Sequence, residues 1–261
     1  MTKEEAASPT AVTESVILTA VIDTYKKRDL ATMDIPGAFL HALNDDYVLL
    51  LFQGTLEELM VKIVPHIYSK YVMVGKSGRK LLYVKLHKAL YGMLKSALLF
   101  YKKLMKDLKS VGFTINPYGP CVANKMVGGK QITVVCHLDD LKVSHADSRV
   151  VDQMVDWLRS IYGKMNVTRG PKHEYLGIDV DYSTTGVVKL LMVPYMEKIL
   201  NEFPEELGKS TATPAGDHLF QVQEDSKAKK LPEEQENIFH HTLVQLLFLT
   251  TRLRRDIQTG S

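Results

Sequence analysis

The sequence is poor in the features that mark secreted and membrane-spanning proteins. Its 261 residues include only two cysteines, Cys121 and Cys136, and they form no CxxC motif. This fits reduced thiols in an intracellular protein better than a disulfide framework. The longest apolar run, residues 47–52, is far shorter than the ~20 residues that cross a bilayer. The first ten residues, MTKEEAASPT, lack the apolar core of a signal peptide. We therefore expect a cytoplasmic protein that is not secreted and has no membrane partner.

The net charge of +3 is small, but the charges are unevenly distributed. Residues 69–109 hold eleven Lys or Arg and a single acid, Asp107, which makes a local block of +10. The other residues hold 22 basic and 29 acidic side chains, a net of −7. Such asymmetry indicates a polyanionic partner. A solvated, lysine-rich helix face explains the block equally well.

Hydrophobic periodicity predicts an α+β fold in which an antiparallel sheet is backed by helices. The chain length suits one large domain or two small ones. Helical spacing marks five segments, residues 14–25, 89–111, 148–162, 194–203 and 234–255. Strand patterns mark seven segments, residues 30–34, 81–86, 121–127, 130–137, 141–145, 174–182 and 187–193. Ser148 is predicted to cap the third helix, and residues 212–232 are predicted to form a polar connection.

Two adjacent acids interrupt the strand-like stretch VVCHLDDLKVSH, residues 134–145. Asp139 and Asp140 are flanked by apolar residues, which predicts the tip of a hairpin anchored in a core. A plain turn explains most such pairs, because Asp tolerates tight turn geometry. Carboxylates on a rigid scaffold also suit Mg²⁺, and two ions about 3.5–4 Å apart can serve phosphoryl transfer. That chemistry needs a further acid. Asp34, which ends a short strand, is the candidate, although alone it would more simply cap a turn.

Five segments, in order, resemble the motifs of copia-type LTR-retrotransposon reverse transcriptases. TMDIPGAFLHA resembles their first catalytic motif, and KALYGMLKSALLFYKKL resembles their Leu-Tyr-Gly helix. CHLDDLKVSH stands in the place of their Tyr-Val-Asp-Asp hairpin. EYLGIDV resembles their Phe-Leu-Gly-Ile-Glu strand, and FHHTLVQLLFLTTRLRRDI resembles the segment that ends in Thr-Arg-Pro-Asp-Ile. Together the motifs span residues 32–257, and their order is more specific than any one of them.

The resemblance implies a right-hand polymerase fold. Its palm is an antiparallel sheet backed by helices, and we expect it in residues 21–193. Residues 194–261 are expected to form a helical, thumb-like part. Residues 1–20 are expected to be a flexible remnant of truncated fingers, because only 33 residues precede Asp34 and no basic strand is evident there.

The resemblance also implies an RNA-directed DNA polymerase that transfers nucleotides from dNTPs to a primer 3′ end. Its partners would be an RNA or DNA template and a DNA or RNA primer, and its cofactors two Mg²⁺ or Mn²⁺ ions. Carried over to this sequence, Asp34, Asp139 and Asp140 are the expected catalytic metal ligands. Ile35 is expected to add a backbone carbonyl to the metal and triphosphate site.

Further residues take binding roles by the same resemblance. The expected nucleotide-binding residues are Phe39, Tyr91, Gly92 and Lys95. The expected primer- and template-binding residues are His137, Leu138, Lys102, Lys103, Tyr175, Leu176 and Gly177. Without the motifs, Phe39 would be taken for a core aromatic, and residues 175–177 for part of an ordinary strand. Lysines of the basic block would meet phosphates in a salt-sensitive manner.

The sequence departs from the family pattern at three motif positions. His137 replaces the aromatic residue near the acidic pair, Lys95 replaces a Gln, and Arg255 replaces a Pro. His137 could titrate near neutral pH and alter the site. Lys95 keeps a hydrogen-bond donor and adds a charge.

Two functions follow from the resemblance as alternatives. The first is a polymerase fragment of a retrotransposon polyprotein. It would work with fingers, RNase H or integrase parts and could reside in cytoplasmic virus-like particles. The alternative is a remnant that binds nucleic acid without extending primers. An unrelated α+β domain with an acidic turn is the third interpretation, and the five ordered motifs disfavour it.

Overall fold

The computed structural model describes residues 6–204, 208 and 230–260 and confirms an α+β fold with antiparallel sheets. The helices are α1 Thr13–Tyr25, α2 Thr55–Ile63, α3 Pro65–Tyr68, α4 Ser96–Ser110, α5 Ser148–Tyr162, α6 Val193–Glu202 and α7 Glu233–Arg252. The strands are β1 Asp29–Asp34, β2 Leu49–Gln53, β3 Val72–Val74, β4 Lys80–Lys85, β5 Thr114–Asn116, β6 Gly119–Val127, β7 Lys130–His137, β8 Asp140–His145, β9 Asn166–Arg169, β10 Lys172–Tyr175, β11 Ile178–Asp181 and β12 Lys189–Leu191. Short 3₁₀ turns cover Ala38–His41, Ser69–Tyr71 and Arg255–Gly260.

A six-stranded antiparallel sheet with the order β5-β6-β7-β8-β1-β9 forms the centre of the molecule. Strand β1 lies between β8 and β9, although 106 residues separate Asp34 from its partner Asp140. Strands β7 and β8 are buried along most of their length, although β8 carries polar residues at alternate positions. Helices α4 and α5 contribute buried side chains to the core, among them Phe100, Leu104, Leu108, Val151 and Leu158. Each such side chain contributes roughly 1.5–3 kcal/mol on leaving water.

Two three-stranded sheets flank the central one, with the orders β2-β4-β3 and β10-β11-β12. The second sheet packs with α6 and α7 through a small separate cluster that includes Ile178, Val180, Ile199 and Leu249. Ala20 of α1 belongs to the same cluster. Residues from Thr13 onward are thus helical and packed, within the segment where the sequence predicted flexibility up to residue 20.

The structure corrects three predicted elements. The helix predicted at 89–111 begins only at Ser96, because Gly92 has φ +90° and the Ser96 hydroxyl donates a hydrogen bond to the Leu90 carbonyl. The strand predicted at 174–182 is a hairpin, β10–β11, whose turn residues Leu176 and Gly177 both have positive φ. Asp147 rather than Ser148 caps α5, since its carboxylate accepts the Arg149 N–H.

The remaining predicted elements agree with the structure to within a few residues. Strands β2, β3, β5 and β9 and helix α3 had not been predicted, because each is only three to five residues long and too short to show a distinct period. Helix α2 had not been predicted either, although Leu56, Leu59, Met60 and Ile63 have helical spacing. Most of the predicted polar connection at 212–232 lies outside the described residues. Cys121 and Cys136 are both buried and free. Within the described part of the chain, no helix is long and apolar enough to cross a membrane.

Candidate active site

The two adjacent acids lie at the tip of the β7–β8 hairpin. His137 and Asp140 form the last strand pair, so Leu138 and Asp139 make a two-residue turn. Leu138 has φ +56°, a conformation that is uncommon for a bulky residue and costs of the order of 1–3 kcal/mol. The apolar strands behind the turn maintain this conformation, since Val134, Val135, Leu141 and Val143 are almost fully buried. The buried strands therefore fix the position of the two acids at the hairpin tip.

Asp34 reaches the same place from another strand. It is the last residue of β1 and pairs directly with Asp140, and the Ile35 N–H donates to the Asp139 carbonyl over 3.2 Å. Gly37, at φ +67°, then turns the chain into the short helix that carries Phe39. The structure thus brings Asp34, Ile35, Asp139 and Asp140 together at one end of the central sheet.

Asp140 has a raised pKa. Burial is the largest cause, and together with the nearby carboxylates of Asp139, Asp34 and Glu174 it raises the pKa from 3.8 to about 6. Such a raised pKa marks an excess of negative charge in a partly dry site. It is also a feature of functional sites, where charge is concentrated at a cost in stability.

This pKa predicts a pH-dependent stability. Because the folded pKa of Asp140 exceeds the unfolded one, the folded chain binds more protons between about pH 4 and 6, and its stability falls as pH rises through that window. The shift corresponds to at most ~3 kcal/mol, which solvent screening of this part-exposed group reduces to the order of 1–2 kcal/mol. In metal-free buffer, Asp140→Asn is expected to raise the free energy of unfolding by that amount at pH 7.5 and by almost nothing at pH 4. Urea unfolding at both pH values measures it, with the exposed Asp156→Asn as control. Equal effects of the two variants at pH 7.5 would contradict the prediction.

The acids are not arranged as a complete metal cage. Among the residues described, no group of three His, Cys, Asp or Glu side chains is placed to hold a metal ion. Two of the acids engage neutral neighbours instead, because the Asn166 amide donates to Asp34 at 3.3 Å and the Tyr91 hydroxyl to Asp139 at 3.5 Å. The donor chemistry nevertheless fits a hard cation, since carboxylates are what Mg²⁺ prefers and Asp140 lies close to the carboxylates of Asp34 and Asp139.

The predicted nucleotide-binding residues lie beside the acids, with one exception. Phe39 packs against Tyr91 with ring centroids 4.3 Å apart, and the Tyr91 hydroxyl reaches Asp139. Tyr91 is 48% exposed, so this aromatic pair offers an open surface next to the carboxylates. Gly92 lies in the turn before α4. Lys95, in contrast, is held by two acids, with Nζ 2.8 Å from Asp46 and 3.2 Å from Asp45.

The predicted primer-binding turn borders a cleft next to the acids. This cleft has a volume of about 290 Å³, and its lining includes Asp34, Asp140, Asn166, Glu174, Leu176 and Gly177. Tyr175 is almost fully buried, and its hydroxyl donates to the Val135 carbonyl at 3.2 Å, so it anchors the turn to the central sheet. A Cβ on Gly177 would lie 3.3 Å from the Phe248 ring, which explains the glycine.

Three other predicted binding residues differ in their exposure and in whether an acid already pairs with them. His137 is half-buried, and burial, with a smaller effect of the Arg252 charge, lowers its pKa and so favours the neutral imidazole. The Lys103 ammonium forms an ion pair with the Asp107 carboxylate at 2.8 Å and lies over the Tyr162 ring. Lys102 is exposed, and within the described residues it has no acidic partner.

Sequence reasoning missed Asn166 and Glu174, which line the cleft. Glu174 stood within a recognised motif, EYLGIDV, and its charge was a usable signal. Asn166 begins a strand that was not predicted, and only the pairing of β9 with β1 places it opposite Asp34. No local pattern could have found it.

Comparison with known proteins gives a consistent result. The sequence profile described as reverse transcriptase (RNA-dependent DNA polymerase) matches residues 2–215. The Retrovirus-related Pol polyprotein from transposon TNT 1-94 of Nicotiana tabacum is 24% identical over 193 residues, which are 73% of this chain and 13% of that protein. A putative transposon Ty5-1 protein of Saccharomyces cerevisiae is 24% identical over 130 residues, which are 50% of this chain and 42% of that protein. The chain thus spans less than half the length of either relative.

Solved structures with some similarity include two of telomerase from Candida tropicalis. The apo form is 15% identical with a TM-score of 0.40, and the match covers 72% of this chain and 37% of the telomerase chain. The form with a fragment of telomeric RNA is 13% identical with a TM-score of 0.41, and the match covers 97% of this chain and 41% of the telomerase chain. At these TM-scores the likeness carries no argument about the layout of fingers, palm and thumb.

The family assignment rests on the sequence comparisons. The profile covers most of the chain, and both curated relatives are transposon proteins of the copia type, as the five ordered motifs predicted. The chain belongs to the reverse transcriptase (RNA-dependent DNA polymerase) family.

Proposed function

We propose that this chain is the catalytic part of a reverse transcriptase that extends a primer 3′ end with dNTPs, as directed by an RNA or DNA template. The observation that carries the proposal is the pairing of Asp34 with Asp140 beside Asp139, at the open end of the central sheet. Residues 21–193 would act as the palm and residues 194–261 as a thumb-like part. Family membership supports the reaction class, and the acids at this site are the residues that would carry it out.

Asp34, Asp139 and Asp140 would hold Mg²⁺ or Mn²⁺, as two ions, together with the Ile35 carbonyl. That carbonyl already accepts the Ala38 N–H at 3.1 Å, and a carbonyl oxygen can still offer its second lone pair. When bound, the metal supplies Lewis-acid stabilisation of the reacting phosphate and of both oxygens in line with it. The carboxylates themselves position that charge.

The side chains around the acids would orient the two substrates. Phe39 and Tyr91 present an aromatic surface on which the incoming sugar and base would lie, next to Asp139. The cleft between Asp140 and the turn at Leu176 and Gly177 would receive the primer end. Exposed lysines such as Lys102 would contact phosphates along the nucleic acid. Fingers, RNase H and integrase parts of a retroelement polyprotein are its proposed partners, and cytoplasmic particles its proposed location.

A second candidate function is nucleic-acid binding without polymerisation. Two observations favour it, namely the occupation of Lys95 by Asp45 and Asp46 and the absence of a preformed three-ligand metal cluster from the described residues. In that case the basic block would still bind a polyanion in a salt-sensitive manner. Chain extension is the property that separates the two functions.

The test is primer extension on oligo(dT)-primed poly(rA) with Mg²⁺ or Mn²⁺, beside the double variant Asp139→Asn, Asp140→Asn. Extension by the unmodified chain that disappears in the variant supports the polymerase. Salt-sensitive primer–template binding without extension supports the binding function. If a folded chain shows neither property, both functions are wrong.

A further inference from the structure

A cavity lies at the opposite end of the central sheet from the catalytic acids. It is bounded by the C-terminal end of α1 and the loop between β11 and β12, and its volume is about 260 Å³. Strand β1 separates the two places, and its six residues span about 17 Å. The cavity thus belongs to a different surface from the proposed polymerase site, and nothing in that proposal uses it.

Arg28 and Asp23 form the floor of the cavity, and together with Lys142, which does not line it, they make an unbalanced set of buried charges. Arg28 and Lys142 share a single carboxylate, that of Asp23, at 3.3 and 2.7 Å, and all three side chains are at most 3% exposed. The Asp23 oxygens are fully engaged, because Oδ1 also accepts the Ser144 hydroxyl at 2.6 Å. Two cationic groups and one anionic group leave an excess of positive charge, and buried charge is costly unless it is compensated.

The walls of the cavity add hydrogen-bond donors that have no acceptor in the described part of the chain. The Tyr182 hydroxyl is buried and has no hydrogen-bond partner among the described residues. Thr184 and Thr185 line the same cavity, and neither hydroxyl makes a hydrogen bond to another described residue. Lys27 lines it as well, is exposed, and forms no ion pair within the described residues. The cavity thus presents three hydroxyls, those of Thr184 and Thr185 exposed, and one ammonium beside Arg28, and these donors meet no acceptor among the described residues.

The backbone of Lys27 points to a role for its side chain. Lys27 lies two residues after the end of α1 and adopts the left-handed conformation, with φ +48°. The Arg28 N–H bonds the Asp23 carbonyl and the Lys27 N–H bonds the Thr24 carbonyl, which is the helix ending that strongly favours glycine at this position. The α1 C-terminus carries about half a negative charge, which explains one cation there. It does not explain three in a row at residues 26–28, and these outweigh it.

We propose that this cavity is a phosphate-binding site, with Lys27, Tyr182, Thr184 and Thr185 as its ligands above the floor that Arg28 and Asp23 form. The volume is several times the ~30 Å³ share of a water molecule in the liquid, so a tetrahedral oxyanion fits. A phosphate accepts hydrogen bonds on several oxygens and carries the negative charge that the set of buried charges lacks. The phosphate belongs either to a free phosphate compound or to a nucleic-acid backbone, and the chemistry of the site is the same for both.

The test uses two substitutions that spare the fold. Lys27→Gly removes the ammonium and relieves the left-handed strain, so the variant should melt at a higher temperature than the unmodified chain. Tyr182→Phe removes only the unpartnered hydroxyl. Lys26→Gln and Tyr118→Phe are the matched controls, since Lys26 is exposed beside the site and Tyr118 is 96% exposed elsewhere. Binding of inorganic phosphate and pyrophosphate is followed by ³¹P line broadening and by the shift in melting temperature, at constant ionic strength.

We expect phosphate to bind the unmodified chain and both controls, and to bind Lys27→Gly and Tyr182→Phe at least about tenfold more weakly, as loss of a hydrogen bond to a charged group implies. Competition by a short nucleic-acid duplex would identify a backbone phosphate as the ligand. Binding without such competition would identify a free phosphate compound. Absence of phosphate binding by the folded chain overturns the proposal, and so does equal binding by all variants. Because the experiment measures phosphate binding and not primer extension, a negative result does not contradict the proposed polymerase function.

Discussion

Asn in place of Asp34 is expected to lower the rate of primer extension at least about a hundredfold, the usual cost of losing one group that stabilises transition-state charge. Asp34 is the only one of the three catalytic candidates that comes from outside the hairpin, and it faces Asp140 across paired strands. The substitution keeps the shape of the side chain and its contact with Asn166 while it removes the charge. Single-turnover extension with saturating primer–template measures the effect.

Primer–template affinity and a substitution away from the site are the controls for this prediction. Primer–template affinity should stay within about twofold, because the basic side chains that are proposed to meet phosphates are unchanged. Asp156→Asn, on the exposed side of α5, should extend primers at the rate of the unmodified chain. Full activity in Asp34→Asn would rule out Asp34 as a catalytic residue and with it the proposed arrangement of acids.

Ala in place of Asp23 is expected to destabilise the fold by about 3–5 kcal/mol, because it leaves two buried cations without a counter-charge. Asp23 is completely buried and bridges Arg28, Lys142 and Ser144. It therefore joins α1 to the middle of the central sheet. Denaturation by urea measures the loss. Asp29→Ala is the matched control, since Asp29 pairs with Arg169 while 35% exposed, and such pairs contribute only about 0–1 kcal/mol.

The pH dependence of the Asp23→Ala variant distinguishes lost charge pairing from lost packing. Burial lowers the pKa of Lys142 and Arg28 lowers it further, while Asp23 opposes both. Without Asp23 the folded pKa falls more, so the unfolded chain binds the extra proton, and stability should rise with pH up to the unfolded pKa near 10.5. A loss of stability that is the same at pH 7 and pH 9.5 would show that packing, and not charge, is responsible.

Local sequence signals predicted the parts of the fold that depend on neighbouring residues. The β6–β7 hairpin with Gly128 and Gly129 at its turn, and the helix at 148–162, follow from turn chemistry and periodicity over a few residues. The same signals misjudged residues 89–95 and 174–182. In both places a positive φ at Gly92, or at Leu176 and Gly177, breaks a pattern that apolar spacing alone would continue.

The sequence by itself determined the family, the order of the motifs and the identity of the three acids, because each is a short pattern of residue types. Only the tertiary structure decided that Asp34 pairs with Asp140, that Asn166 contacts Asp34, and that Asp23 lies buried between two cations. The two contacts of Asp34 join residues 106 and 132 positions apart, and Asp23 lies 119 positions from Lys142 although only five from Arg28. Periodicity and turn preferences act over a handful of residues, whereas strand partners and burial are chosen by the packing of the whole chain.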